Sequence, residues 1–188
     1  MKTLRIKHVK KSYVKYFNGF SLQGEEHLFE SYFSKSDTTV VGFSYGAQKA
    51  FEYVYHTKDR VDKLVLLSPA FFQTQKKSFI RAQLRYYDTG HNNYIQQFLL
   101  NTKYPATIDI SKYLQKGIKE DTKEELEFLL HYQWSEDKIK EVLDRHITIE
   151  VFLGSNDKII DIHEPSHFFS MTTTYIIKGV GHLLKEKA

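Results

Sequence analysis

Ser44, Asp157 and His182 are the three side chains on which a hydrolytic reaction could be built. Ser44 sits in Gly42-Phe43-Ser44-Tyr45-Gly46, between the β-branched run Thr38-Thr39-Val40-Val41 and a helix-forming run from Ala47 to Tyr55. A strand that turns through G-x-S-x-G into a helix holds its serine on a strained turn with Oγ exposed. The flanking glycines answer a steric need, since side chains there would collide. The turn also aims backbone N–H groups from the N-terminus of the next helix, where negative charge is stabilised. Asp157 lies in Gly154-Ser155-Asn156-Asp157, directly after the strand-like run Ile147 to Leu153. His182 lies in Gly179-Val180-Gly181-His182, after the strand-like run Thr172 to Ile177. Serine hydrolysis needs a nucleophile, a base to take its proton and an acid to orient that base. The chain offers them in the order Ser, Asp, His, each directly after a strand.

Each choice has a plainer rival. Ser44 reads otherwise as part of a glycine-rich turn without chemistry. Asp161, four residues on, competes with Asp157, which is preferred because it is nearer the strand end; either reads otherwise as a helix-start or surface acid. Of the nine histidines, His182 alone follows a strand and a glycine turn in that order; its plain reading is a surface histidine in a C-terminal loop. The tetrahedral intermediate of acyl transfer also needs two backbone donors. The Tyr45 N–H is one candidate. The Phe20 N–H, in the loop Asn18-Gly19-Phe20 after the strand-like Ser12 to Phe17, is the other. His163-Glu164-Pro165-Ser166-His167 spells the H-E-x-x-H zinc motif. A helix starting at Pro165, where a missing N–H is tolerated, would leave His163 outside it. No metal and no cofactor are expected.

These residues must be carried by alternating strands and helices. Residues 2–9 suggest a short edge strand. Gln23 to Phe33 has Leu28 and Tyr32, and Phe29 and Phe33, at helical spacing, which predicts an amphipathic helix. Helices are predicted over Gln48 to Thr57, and Lys63 to Leu67 reads as a buried parallel strand. From Ala70 to Arg145 the periodicity is helical, with almost no strand signal. The order predicts a compact α/β fold: a mostly parallel sheet with a helical cap, about 70–145, inserted after the third core strand. The 188 residues, 41% hydrophobic, suit a single domain. Absence of cysteine excludes disulfides, thiolate metal sites and cysteine nucleophiles. No apolar run has signal-peptide or membrane-spanning length, so a soluble cytoplasmic protein is expected.

The net charge of +4 is unevenly spread. Met1 to Phe20 carries six bases and no acid, and Phe71 to Pro105 five bases against Asp88 alone. Lys77, Arg81 and Arg85 stand at i, i+4 and i+8, one cationic stripe on a helix. Ile80, Leu84 and Tyr87 form an apolar stripe beside it, facing the site or the cap core. A solvated helix face is the plain reading. The scarcity of nearby acids favours instead a site for an acidic protein or a phosphate group. No nucleic-acid-binding motif accompanies the basic charge.

The elbow and its helix, Gly42 to Tyr53, resemble those of BioV-type pimeloyl-acyl-carrier-protein methyl ester esterases of the α/β-hydrolase superfamily. So do Glu124 to Leu130, Ile149 to Gly154 with Asp157, and His182-Leu183-Leu184; at the Phe20 loop, where many hydrolases have His-Gly, this chain has Asn-Gly. The resemblance spans most of the chain. It implies an α/β-hydrolase fold, with Ser44, Asp157 and His182 as triad. It implies removal of the methyl group from pimeloyl-acyl-carrier-protein methyl ester in biotin synthesis, releasing methanol. Acyl carrier protein would then be the acidic partner of the stripe; neither nucleic acid nor membrane is expected as a partner. A general short-chain esterase, an acyl thioesterase and a non-catalytic hydrolase-like scaffold are the alternatives.

Overall fold

Two apolar runs set the centre of the sheet in the computed structural model of the chain, which describes residues 14–114 and 123–187. They are β2 (Thr39–Phe43) and β3 (Lys63–Leu67), almost wholly buried on both faces, as central parallel strands must be. β1 (Lys15–Phe17) lies outside β2, and β4 (Thr148–Gly154) and β5 (Thr173–Ile177) continue beyond β3. The spatial order is β1-β2-β3-β4-β5, and every neighbouring pair is parallel. The expected edge strand over 2–9 lies outside the described residues.

The register aligns Phe43, Leu67 and Phe152 across three strands. Their alternation puts these side chains on one face of the sheet. There Phe29 packs on Phe43, and Tyr32 on Phe152. α1 (Tyr45–His56) packs against β1, β2 and β3. It starts at the residue after Ser44, three residues earlier than the periodicity suggests. Between β3 and β4 the chain is helical: α2 (Lys77–Lys103), α3 (Lys123–His131) and α4 (Glu136–Asp144). α2 is interrupted at Gly90, whose φ of −157° and ψ of 51° are not helical. α4 is tied to α1 from end to end. Lys138 and the Tyr132 hydroxyl both donate to Glu52, and Tyr55 donates to Glu141. The Arg145 guanidinium donates to the carbonyls of Val54, Tyr55 and Thr57, which satisfies acceptors that the end of α1 leaves open.

Two expectations need correction. Gln23 to Phe33 is not an amphipathic helix; only Glu26–Phe29 forms a single 3-10 turn. Gly24 stands at φ +76° just before it, and the Glu25 side chain turns inward to bind the backbone of another loop. The apolar spacing is real, because Phe29 and Tyr32 do bury against the sheet, but a single turn followed by irregular chain delivers it. The second correction is the helix expected from Pro165. α5 (His163–Phe168) begins two residues earlier, with Pro165 still inside its first turn, where no N–H is missed. His163 and His167 therefore share a helix, and both are exposed. Among the described residues no group of three or more His, Asp or Glu is arranged to hold a metal ion. No described helix is long and apolar enough to cross a membrane.

Candidate active site

Ser44 closes the junction of β2 and α1 with φ 54° and ψ −115°, a conformation that costs a non-glycine residue roughly 1–3 kcal/mol. Neighbouring structure over-determines it. The Ser44 N–H donates to Leu67 O at 2.9 Å, and its carbonyl accepts from Ala47 N–H and Ala70 N–H. The turn is possible only because its flanks lack side chains. A Cβ at Gly42 would strike the Gly46 carbonyl, and one at Gly46 would strike the carbonyls of Phe17 and Asn18. Gly46 thus does more than permit a turn: it lets the chain leaving β1 lie directly against the elbow.

The three candidate side chains meet at the carboxyl end of the sheet. His182 Nε2 lies 2.8 Å from Ser44 Oγ, and His182 Nδ1 lies 2.7 Å from Asp157 Oδ2. The imidazole and the carboxylate are both fully shielded from solvent. The other oxygen of Asp157 accepts from the N–H groups of Ile159 and Ile160 at 2.7 and 3.1 Å. The carboxylate therefore uses both oxygens, one turned to the ring and one to the loop that follows β4. Asp161, the rival acid, accepts from the His163 N–H at the start of α5 and is exposed. A hydroxyl, a base in hydrogen-bond reach and a fixed carboxylate behind it form the relay that deprotonates a serine.

The candidate backbone donors flank Ser44. Tyr45 is the first residue of α1, so its N–H has no partner within the helix, and α1 has no acid in its first turn. Phe20 lines the same cavity as Ser44. Neither N–H donates to another group among the described residues. The Phe20 and Phe128 rings each meet the Tyr45 ring edge to face. Burial, with the Glu125 carboxylate, pushes the Tyr45 phenol up to about 12, so the ring stays neutral.

Ser44 opens into a cavity of about 670 Å³. One wall is apolar: Phe20, Phe72, Phe79, Phe98, Leu126 and Ile159. The polar lining comes from α2, with Gln83, Asn93, Gln97 and Asn101, and α2 also supplies Phe79 and Phe98 to the apolar part. Ile80, Leu84 and Tyr87, the apolar stripe expected beside the cationic one, pack into the hydrophobic core, while Phe79, Gln83 and Tyr86 reach the cavity. Lys77, Arg81 and Arg85 are all exposed on α2. None of them forms an ion pair among the described residues; the Arg85 guanidinium lies over the Tyr86 ring.

Several contributors were invisible in the sequence. Ser68, at φ +42°, donates its hydroxyl to the His182 carbonyl at 2.7 Å. Thr102 O accepts from the Leu183 N–H. The Gln48 side-chain amide bridges the carbonyls of Ala70 and Leu129, tying α1 to the chain just after β3 and to α3. A serine ending a strand before Pro69 was the one available hint.

No protein-family model matches this chain, and no curated protein does. Solved structures do. A carboxylesterase, CesB, from Bacillus subtilis is similar over 94% of this chain and 79% of its own, at 11% identity and TM-score 0.63. BioG from Haemophilus influenzae is similar over 98% of this chain and 94% of its own, at 12% identity and TM-score 0.59. A putative hydrolase from Bacillus subtilis matches 78% of this chain at 16% identity and TM-score 0.53; there the chain spans only 54% of the neighbour's length. The parallel sheet with its helices, together with the likeness to these structures, establishes the α/β-hydrolase fold.

Proposed function

We propose that this protein is a serine carboxylesterase that removes the methyl ester from a pimeloyl chain held on acyl carrier protein. The hydrogen-bonded series Ser44–His182–Asp157 at the floor of an open cavity carries this reading. The substrate rests on the resemblance of the elbow and cap sequences to BioV-type esterases, on the end-to-end likeness to BioG, and on the exposed stripe Lys77, Arg81 and Arg85.

In this mechanism the acidic carrier docks on that stripe, and charge complementarity steers it there. The acyl chain lies along the apolar wall with its methyl ester at Ser44. Ser44 Oγ attacks the ester carbonyl as His182 Nε2 takes the hydroxyl proton. Asp157 holds the ring in the tautomer with Nδ1 protonated and stabilises the imidazolium. The carbonyl electrons move to oxygen, where the N–H groups of Tyr45 and Phe20 and the start of α1 meet the negative charge. Collapse breaks the bond to the methoxy oxygen, which leaves as methanol with the proton from His182. Water then attacks the acyl-enzyme, again giving its proton to His182. Ser44 departs with that proton, and the pimeloyl carboxyl is freed.

The test is incubation of pimeloyl-acyl-carrier-protein methyl ester with the protein and with Ser44→Ala. Methanol release by the wild type alone is expected. Release of the carrier thiol instead would make it a thioesterase, and no reaction with no fluorophosphonate labelling of Ser44 would make it a non-catalytic scaffold.

A further inference from the structure

Glu25 has no part in the relay, yet it is wholly buried beside the loop that carries Phe20. Its Oε1 accepts from the Gly19 N–H at 2.7 Å and from the Tyr16 hydroxyl at 3.3 Å. The Gly19 carbonyl accepts from the Leu22 N–H at 3.1 Å. Both peptide planes that meet at Gly19 are therefore held. In a trans peptide the carbonyl of one residue and the N–H of the next point in opposite directions. With the Gly19 carbonyl turned into the loop toward Leu22, the Phe20 N–H must point out of it. The carbonyls of Phe17 and Asn18 packed on Gly46 fix where that loop lies relative to Ser44.

We infer that Glu25 is a positioning residue for the oxyanion site, its side-chain acceptor locking the Gly19 peptide so that the Phe20 N–H is aimed before substrate arrives. This rests on the esterase reading above. Burying a carboxylate is unfavourable unless hydrogen bonds compensate; here Oε1 draws on the loop backbone and the Tyr16 hydroxyl, while Oε2 has no partner among the described residues. A donor displaced by about 1 Å, or lost, lowers an acyl-transfer rate by about 10²-fold.

Two conservative variants separate acceptor position from charge. Glu25→Gln keeps an oxygen at the same reach, whereas Glu25→Asp keeps the charge but falls one methylene short of Gly19. On a p-nitrophenyl ester, Glu25→Gln is expected within about threefold of wild type. Glu25→Asp is expected to lose about 10²-fold in kcat with KM within about twofold. Its affinity for a trifluoromethyl ketone, which forms an oxyanion at Ser44, should fall by the same factor. If Glu25→Asp does not fold, Glu25→Met, which fills the volume without an acceptor, is expected to give the same loss. Wild-type kcat in Glu25→Asp or Glu25→Met overturns the inference, as does an equal loss in Glu25→Gln and Glu25→Asp. A wild type inert toward both the ester and a fluorophosphonate would remove the esterase reading and this role with it. An active wild type indifferent to these changes removes this role alone.

Discussion

The floor and the roof of the cavity are built on different physical terms. The floor is made of strand ends. Ser44, Asp157 and His182 each follow a parallel strand: the Ser44 N–H donates to the backbone of β3, Asp157 accepts from N–H groups of its own loop, and the His182 carbonyl accepts from the Ser68 hydroxyl. The roof is α2, a single 27-residue helix broken at Gly90, with exposed cations outside and amide side chains facing in. It adds surface, charge and shape to the cavity. Reaction chemistry is thus assigned to the part of the molecule that can place atoms accurately. On the proposed reading, carrier recognition falls to the exposed cationic face of α2, apart from the reaction centre.

If that division holds, substitutions in the floor should abolish turnover of every ester, while those in the roof should act only on carrier-bound ones. The largest effect is expected for Ser44→Ala, which should lower kcat by about 10⁶-fold on small and carrier-bound esters alike, with an unchanged melting transition. Asp157→Asn should lower kcat by about 10⁴-fold, since the amide would stabilise the wrong tautomer of His182; steady-state assays on a small ester read this directly. Reversing the roof charges with Lys77→Glu, Arg81→Glu and Arg85→Glu together should reduce kcat/KM for the carrier-bound ester by about 10- to 100-fold. It should also flatten the salt dependence and spare p-nitrophenyl butyrate. An equal loss on the small ester would erase the distinction between floor and roof.

The smallest effect concerns stability. Burial raises the Glu25 carboxyl above its ordinary range, against the pull of its hydrogen bonds to backbone N–H groups, and Glu26 adds to the rise. A raised folded-state pKa means the folded protein holds this proton more tightly than the unfolded chain does. Wild-type stability should therefore fall as pH rises from the ordinary carboxylate range through the raised value. The melting temperature of Glu25→Gln relative to wild type should climb as pH rises from the ordinary carboxylate range through the raised value. Scanning calorimetry across that window would detect a flat difference, which would contradict the assigned environment of Glu25.

The floor was legible in the sequence because its signals are local. Gly42, Gly46, Gly154 and Gly181 mark where chains approach too closely for a Cβ, and each candidate residue stands within a few positions of a strand end. The boundaries of β3 were readable for the same reason: an uninterrupted apolar run ended by Ser68-Pro69. What stayed hidden depends on partners distant in the chain. The spacing of Phe29 and Tyr32 fits a helix equally well as a 3-10 turn with irregular chain, and only the Glu25 bond to Gly19 and the conformation of Gly24 decide between them. Ser68 reaches the His182 carbonyl across 114 positions, and Lys138 reaches Glu52 across 86. No local pattern encodes such pairings. The cationic stripe was readable as a pattern, but its exposure and its place on the outside of the roof were not.

The most direct test of the central claim is mass analysis of pimeloyl-acyl-carrier-protein methyl ester after reaction with the wild type and with Ser44→Ala. The account predicts loss of the methyl group alone by the wild type, with the acyl chain still on its carrier, and an unchanged substrate with the variant. Appearance of the free carrier thiol, or demethylation that survives Ser44→Ala, would contradict it.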